Sequence, residues 1–204
     1  MDRGAAVARS KGVFMGNRVL VIQEENCTGC RLCELACSSF KEGSFIPERS
    51  RVKVIYNALE GWSRPSVCLQ CEDPMCMAVC PAEAISRAAT PQGDPFVQVD
   101  KERCIGCRRC SVACPFGAIV FFPKSMAVKC DLCQGSPKCV EFCFYNCLHF
   151  LELPDEEFEK RNKNVKFLIT KACKEISSRE PLERRAMFSL KASKVSGRDH
   201  AEPV

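Results

Sequence analysis

The sequence predicts an α+β fold of short strands and short helices, organised around metal clusters instead of a packed apolar centre. Three observations predict it. Sixteen of the eighteen cysteines among the 204 residues fall into four consecutive groups of four. An internal duplication is visible: Glu25 to Cys37 (ENCTGCRLCELAC) recurs as Glu102 to Cys114 (ERCIGCRRCSVAC), and Cys68-Leu-Gln-Cys71 is answered by Cys130-Asp-Leu-Cys133. The hydrophobic fraction of 46% counts the cysteines themselves, so the hydrocarbon core is small for the chain length.

The four groups are Cys27, Cys30, Cys33 and Cys37; Cys68, Cys71, Cys76 and Cys80; Cys104, Cys107, Cys110 and Cys114; and Cys130, Cys133, Cys139 and Cys143. Each places three thiols close together and a fourth one helical turn on. A 4Fe-4S core has four corner irons, each needing one terminal thiolate. A C-x-x-C-x-x-C loop wraps one face of that cube, while the cysteine four residues further on points away and ligates the other cluster of a pair. Proline after Cys80 and Cys114 turns the chain sharply once the ligand is placed; Cys37 and Cys143 are followed by Ser38 and Phe144 instead. A disulfide framework fits poorly, because cysteines three apart, four times over, make poor disulfide geometry. Structural zinc is the better alternative, but it uses two separated C-x-x-C pairs and leaves the third cysteine of each loop and the Cys-Pro continuation unexplained.

In chain order, a strand over 18–23 precedes the first group and one over 96–100 precedes the third. Helical turns follow at 32–38, 75–79, 108–113 and 140–144. Short strands close the units at 51–56, 84–87, 118–122 and 148–153, so that each half of the sequence reads as one small unit. Such a fold depends on its metal and is not stable without iron. Beyond Leu153, residues 155–163 are charged and helical, and 165–176 carry an apolar stripe of Val165, Leu168, Ile169 and Cys173. On so small a body the stripe is either core or a docking face for a partner, and the docking reading is favoured. The domain reading is therefore a flexible extension over 1–17, with Met15 as an alternative start; the cluster-binding domain over 18–153; and a docking segment with a disordered, basic tail over 154–204.

Charge narrows the function. With sixteen thiolates and four 2+ cores, the formal net charge of +5 becomes about −3, which removes the case for nucleic-acid binding. Arg31, Arg108, Arg109, Lys129 and Lys138 lie within or beside the groups, as solvated charges or as partners of cluster charge. There is no apolar run long enough to span a membrane and no signal-peptide or twin-arginine pattern at the N-terminus, so the expected location is the cytoplasm, without membrane insertion. The two histidines, His149 and His200, belong to no nucleophile–base constellation, and no glycine-rich loop cradles phosphate. An iron-sulfur scaffold, the third class of function, needs a labile exposed site in place of complete ligand sets.

The four-group order, the Cys-Thr-Gly-Cys-Arg-Leu-Cys-Glu opening, Cys-Glu-Asp-Pro-Met-Cys and Lys-Cys-Asp-Leu-Cys are similar to the four-cluster ferredoxin-type subunits, over about Arg18 to Leu153. These are electron-transfer partners of molybdenum or tungsten pterin oxidoreductases, of the dimethyl sulfoxide reductase β-subunit type. Related chains serve hydrogenases, formate dehydrogenases and carbon monoxide dehydrogenases. In style the chain resembles the small subunits of tungsten aldehyde oxidoreductase and tungsten benzoyl-CoA reductase. The resemblance implies a duplicated bacterial-ferredoxin-like fold and four [4Fe-4S] clusters. It implies the ligand sets Cys27, Cys30, Cys33 and Cys143; Cys130, Cys133, Cys139 and Cys37; Cys68, Cys71, Cys76 and Cys114; and Cys104, Cys107, Cys110 and Cys80. It also implies a catalytic oxidoreductase subunit on one side, a second redox protein on the other, and no catalysis in the chain itself. Cys143-Phe-Tyr-Asn-Cys147 offers two candidates for one ligand. Spacing from Cys139 favours Cys143, leaving Cys147, like Cys173, as a structural thiol.

Overall fold

The computed structural model describes residues 16–122 and 126–175, without the side chains of 172–175. The expectations about Met15, the thiol of Cys173 and the tail from Ser189 lie outside the described residues. The elements run β1 (Arg18–Ile22), α1 (Leu32–Glu42), β2 (Lys53–Asn57), β3 (Trp62–Ser66), α2 (Met75–Ala78), β4 (Ile85–Ala89), β5 (Pro95–Val99), α3 (Arg109–Ala113), β6 (Ile119–Phe121), β7 (Ala127–Lys129), α4 (Lys138–Glu141), β8 (Leu148–Glu152) and α5 (Asp155–Glu175). The result is a small α+β fold of short elements. Two strands, β3 and β7, were not anticipated. Trp62-Ser-Arg-Pro-Ser66 has no alternation and contains a proline, and Ala127-Val-Lys129 is too short to carry a period. Helix α4 begins and ends before the expected 140–144, so Cys139 lies inside it and Cys143 just beyond.

All four sheets among the described residues are two-stranded, a size that is marginal alone in water, so their stability comes from what they pack against. Strand β1 pairs antiparallel with β8, from Arg18 opposite Glu152 to Ile22 opposite Leu148, and β4 pairs with β5. The strand before the first cysteine group therefore meets the strand after the fourth, and the strand after the second meets the strand before the third. Helices follow the same rule, α1 packing on α4 and α2 on α3. The spatial units thus differ from the expected sequence halves: one joins groups one and four, the other groups two and three. The hairpins β2–β3 and β6–β7 lead into the second and fourth groups.

Each unit has its own apolar cluster. Leu20, Val52, Val54, Val67, Phe96, Leu132 and Leu148 surround Cys33, Cys37 and Cys139. Leu69, Ile85, Val97, Phe116 and Ile119 surround Cys68, Cys76, Cys110 and Cys114. A half-buried ion pair ties the units together: Arg18 of β1 grips the buried Asp94 with Nε at 3.0 Å and Nη2 at 2.5 Å, and Thr90 Oγ1 donates to the same carboxylate at 2.9 Å. These contacts hold Asp94 below its usual carboxylate pKa even though burial opposes them.

The C-terminal segment corrects an expectation. Residues 155–175 form one continuous helix, and Val165, Leu168 and Ile169 are buried in the core of the second unit. The stripe read as a docking face is turned onto the chain's own body. The reason is area: the second unit has too little hydrocarbon to cover Cys68, Cys76 and Cys114 unaided, and an amphipathic helix supplies it.

Candidate functional site

The cysteine loops repeat one backbone solution. In Cys27-Thr-Gly-Cys-Arg and Cys104-Ile-Gly-Cys-Arg, Gly29 (φ 74°) and Gly106 (φ 69°) are left-handed, as are Arg31 (φ 62°) and Arg108 (φ 63°), which open α1 and α3. In the other two loops the residue before the second cysteine, Gln70 or Leu132, is left-handed. These turns curl the chain so that successive thiols face one point. A methyl group on Gly29 would meet Ser63 Oγ and Tyr56 Cε1 at 3.0 Å.

The fourth cysteines share a second device. After Cys80, Cys114 and Cys143 the third residue along (Glu83, Gly117, Asn146) is left-handed and its N–H returns to the cysteine carbonyl, at 3.2, 3.2 and 3.0 Å. The N–H of the next residue then donates to the cysteine sulfur: Ala84 to Cys80 at 3.3 Å, Ala118 to Cys114 at 3.4 Å, Cys147 to Cys143 at 3.3 Å. Phe144 thus closes the same turn as Pro81 and Pro115. Cys147 occupies the buried position of Ala84 and Ala118. Cys37 lies inside α1 and receives its N–H from Arg51, at 3.3 Å.

The thiols gather in four quartets. Cys37, Cys130, Cys133 and Cys139 line one small cavity. Cys68, Cys71, Cys76 and Cys114 line another, and Cys80, Cys104, Cys107 and Cys110 a third. Around Cys33 stand Cys27, Cys143 and Cys30, whose charges add to burial and Glu34 in pushing that thiol up to about 12. The quartets follow one another through shared elements: α1 carries both Cys33 and Cys37, Gln70 of the Cys68 loop reaches the Cys130 carbonyl, and α3 carries Cys110 with Cys114 at its end. Cys139 is raised by burial and by the charges of Cys130, Cys37 and Cys133, with Cys33 of the neighbouring quartet adding to them. Cys130 feels Cys68 after burial, and Cys76, pushed up to about 12, feels Cys110. The spatial order is therefore Cys33, Cys139, Cys76, Cys110, which differs from the order in sequence. Cys30 and Cys107, the exposed thiols, belong to the two end quartets.

The donor chemistry fits a cluster of iron and sulfide. Among the described residues no three Cys, His, Asp or Glu side chains converge on a point that could hold a single metal ion. Four thiols that line one buried cavity concentrate negative charge there once deprotonated, and a cationic iron-sulfide core offsets it. Lys129 makes the same point: its buried Nζ lies 2.8 Å from Cys68 Sγ and 3.2 Å from Gln70 Oε1. Burial opposes its charge, yet Cys68 and Cys76 hold its pKa raised. Cys147 sits beside the first quartet, and its thiol holds Cys27 below the ordinary thiol range.

Of the other cations singled out in the sequence, Arg31 is paired with Glu34, Lys138 with Glu141, and Arg108 lies over the Phe121 ring at the surface. Sequence reasoning missed three residues. Glu34 is buried beside Cys33, accepting from Val54 N at 2.5 Å. Gln70 bridges the inner quartets, donating to the Cys130 carbonyl at 2.9 Å and accepting from Val97 N at 2.9 Å. Arg161 of α5 donates to the Leu69 carbonyl at 2.6 Å, and its place on the stripe with Val165 and Leu168 was the available signal.

A family model for a 4Fe-4S binding domain matches residues 96–119. The chain is 42% identical over 126 residues to the polyferredoxin-like subunit of aliphatic sulfonate oxidoreductase of Pyrococcus furiosus, covering 61% of this chain and 70% of that one. It is 32% identical to formate hydrogenlyase subunit 2 of Escherichia coli, over 74% of this chain and 90% of that one. It is 38% identical to the electron transport protein HydN of the same organism, over 73% and 98%. Among the described residues no helix is long and apolar enough to cross a membrane. On this identity and coverage, the chain belongs to the family of 4Fe-4S electron-transfer subunits of oxidoreductases.

Proposed function

We propose that the chain is a non-catalytic relay carrying single electrons through four [4Fe-4S] clusters, between a redox protein and a catalytic oxidoreductase subunit, on a duplicated ferredoxin-like domain over residues 18–153. When bound, each cluster takes up one electron and passes it on by tunnelling. The ligand sets are the four quartets: Cys27, Cys30, Cys33, Cys143; Cys37, Cys130, Cys133, Cys139; Cys68, Cys71, Cys76, Cys114; and Cys80, Cys104, Cys107, Cys110. The observation that carries the reading is their arrangement in a file whose exposed thiols, Cys30 and Cys107, lie in the end quartets. A wire needs that arrangement, with partners reaching its ends and protein insulating its middle. The backbone N–H donors to Cys37, Cys80, Cys114 and Cys143 orient and stabilise thiolate sulfur without adding charge.

A molybdenum or tungsten pterin enzyme of the aldehyde oxidoreductase or benzoyl-CoA reductase type is the partner we favour; the likeness to a polyferredoxin-like oxidoreductase subunit of Pyrococcus furiosus supports an oxidoreductase partner as such. The likeness to a formate hydrogenlyase subunit supports a second reading, a complex that handles formate or hydrogen. The test is anaerobic purification with whatever protein accompanies the chain, followed by metal analysis. About sixteen irons with as many acid-labile sulfides per chain are expected, together with a partner that contains molybdenum, tungsten or nickel. Half that iron after reconstitution, or substrate turnover by the isolated chain, would refute the relay.

A further inference from the structure

The two inner quartets differ in charge. Aligning Cys68–Cys71 with Cys130–Cys133 puts Val67 and Lys129 at matching positions, each just before the first cysteine. Val67 lines the cavity of Cys37, Cys130, Cys133 and Cys139; Lys129 lines that of Cys68, Cys71, Cys76 and Cys114. One inner quartet meets an isopropyl group where the other meets an ammonium 2.8 Å from a ligand sulfur. A second buried cation, Arg161, reaches the same loop from α5 through the carbonyl of Leu69, which lies between Cys68 and Cys71. Among the described residues the remaining polar contacts of this pair are the side chains of Gln70 and Asn162, neither of them a carboxylate.

Elsewhere the cations are neutralised or solvated. Beside the Cys37 quartet, Lys41 is paired with Asp131 at 2.7 Å and Arg51 with Glu42 at 2.6 Å. Near the Cys33 quartet the buried Glu34 adds a negative charge, paired to Arg31 at 2.6 Å. Arg108 and Arg109, beside the Cys110 quartet, are exposed.

We propose that Lys129 and Arg161 act as positioning charges that make the Cys68, Cys71, Cys76, Cys114 site the electron sink of the chain, with the highest reduction potential of the four. This rests on the four-cluster relay proposed above. Reduction adds a negative charge to the site, and a buried, unneutralised cation stabilises that charge far more than an exposed or paired one. A donor on the ligand sulfur acts in the same direction. An electron arriving from either end would come to rest one step from the Cys107 end, and would leave only when a partner draws it out.

The experiment is an EPR-monitored redox titration of the loaded full-length protein beside Lys129→Val, which installs the residue of the matching position, and Arg161→Gln, which keeps a donor for the Leu69 carbonyl and removes the charge. The signal that appears first in the wild type is expected to move to lower potential in both variants. For Lys129→Val its reduction equilibrium constant should fall about tenfold, or about 59 mV for a one-electron couple, and Lys129→Arg should restore it. The proposal is overturned if that signal keeps its potential in both variants, if the variants move different signals, or if the signal that moves is not the first to appear. If Lys129→Val fails to load its clusters, Arg161→Gln decides alone. About sixteen irons with an unmoved signal defeats the sink only; fewer irons in the wild type defeats the four-cluster relay as well.

Discussion

The turn after each fourth cysteine shows how little side-chain chemistry the site requires and how much backbone geometry. Glu83, Gly117 and Asn146 are three different residues in one left-handed conformation, and each sets up a peptide N–H that donates to sulfur. The residue carrying that N–H must be small, because it is buried against the loop, and Ala84, Ala118 and Cys147 satisfy that. Replacing Cys147 with alanine should therefore leave iron content close to wild type. Cys143→Ser should lose about four irons, one cluster's worth. Equal losses from both would show that Cys147 shares the ligand role. Gly29 is constrained twice, by its φ of 74° and by Ser63 and Tyr56 against it. In anaerobic denaturation Gly43→Ala, with open space around it and a similar φ, should cost the backbone part alone, about 1–2 kcal/mol, and Gly29→Ala should cost more than that.

At the scale of elements, α5 is the one long element and works as a cover. Ile169 lines the cavity of the Cys68 quartet, and Arg161 anchors the helix to the loop that carries Cys68 and Cys71. Leu168→Ala should destabilise the loaded protein by about 2–5 kcal/mol, read as a lower denaturation midpoint. Ending the chain at Leu153 should speed the loss of visible absorbance in air, beginning with the cluster of the Cys68 quartet, because water and oxygen gain access to it. A truncated protein that keeps its iron as long as the full chain would return the stripe to the role of a partner surface.

At the scale of the molecule, the proposed file of four sites is made by a chain that crosses itself. Cys37 lines a cavity with Cys130, Cys133 and Cys139, although its neighbours in sequence gather with Cys143. Cys37→Ser should accordingly perturb the EPR signal of the Cys130, Cys133, Cys139 site and spare that of the Cys27, Cys30, Cys33 site. The opposite result would mean that each cysteine group holds its own cluster. The Arg18–Asp94 pair and the Gln70 bridge to Cys130 hold the two units in register, and in the proposed relay they thereby set the gap an electron crosses between the inner sites.

The sequence by itself determined the chemistry and the local structure, since cysteine spacing, left-handed glycines and prolines after a ligand act over a few residues, and such constraints are written contiguously. It also placed most strands and helical turns, because the duplicated segments repeat their patterns. Helix α4 was misplaced by two residues, and β3 and β7 were missed, as their pairing is set by the partner strand and not by their own composition. Only the tertiary structure decided that α5 turns inward, that Cys147 stands where alanines stand, and that Lys129 is buried against Cys68 while Arg108 is solvated. An apolar stripe or a lysine beside a motif looks the same in sequence whether it meets water, a partner or the core. What separates these cases is which surfaces the fold leaves uncovered, and that depends on contacts between residues far apart in the chain.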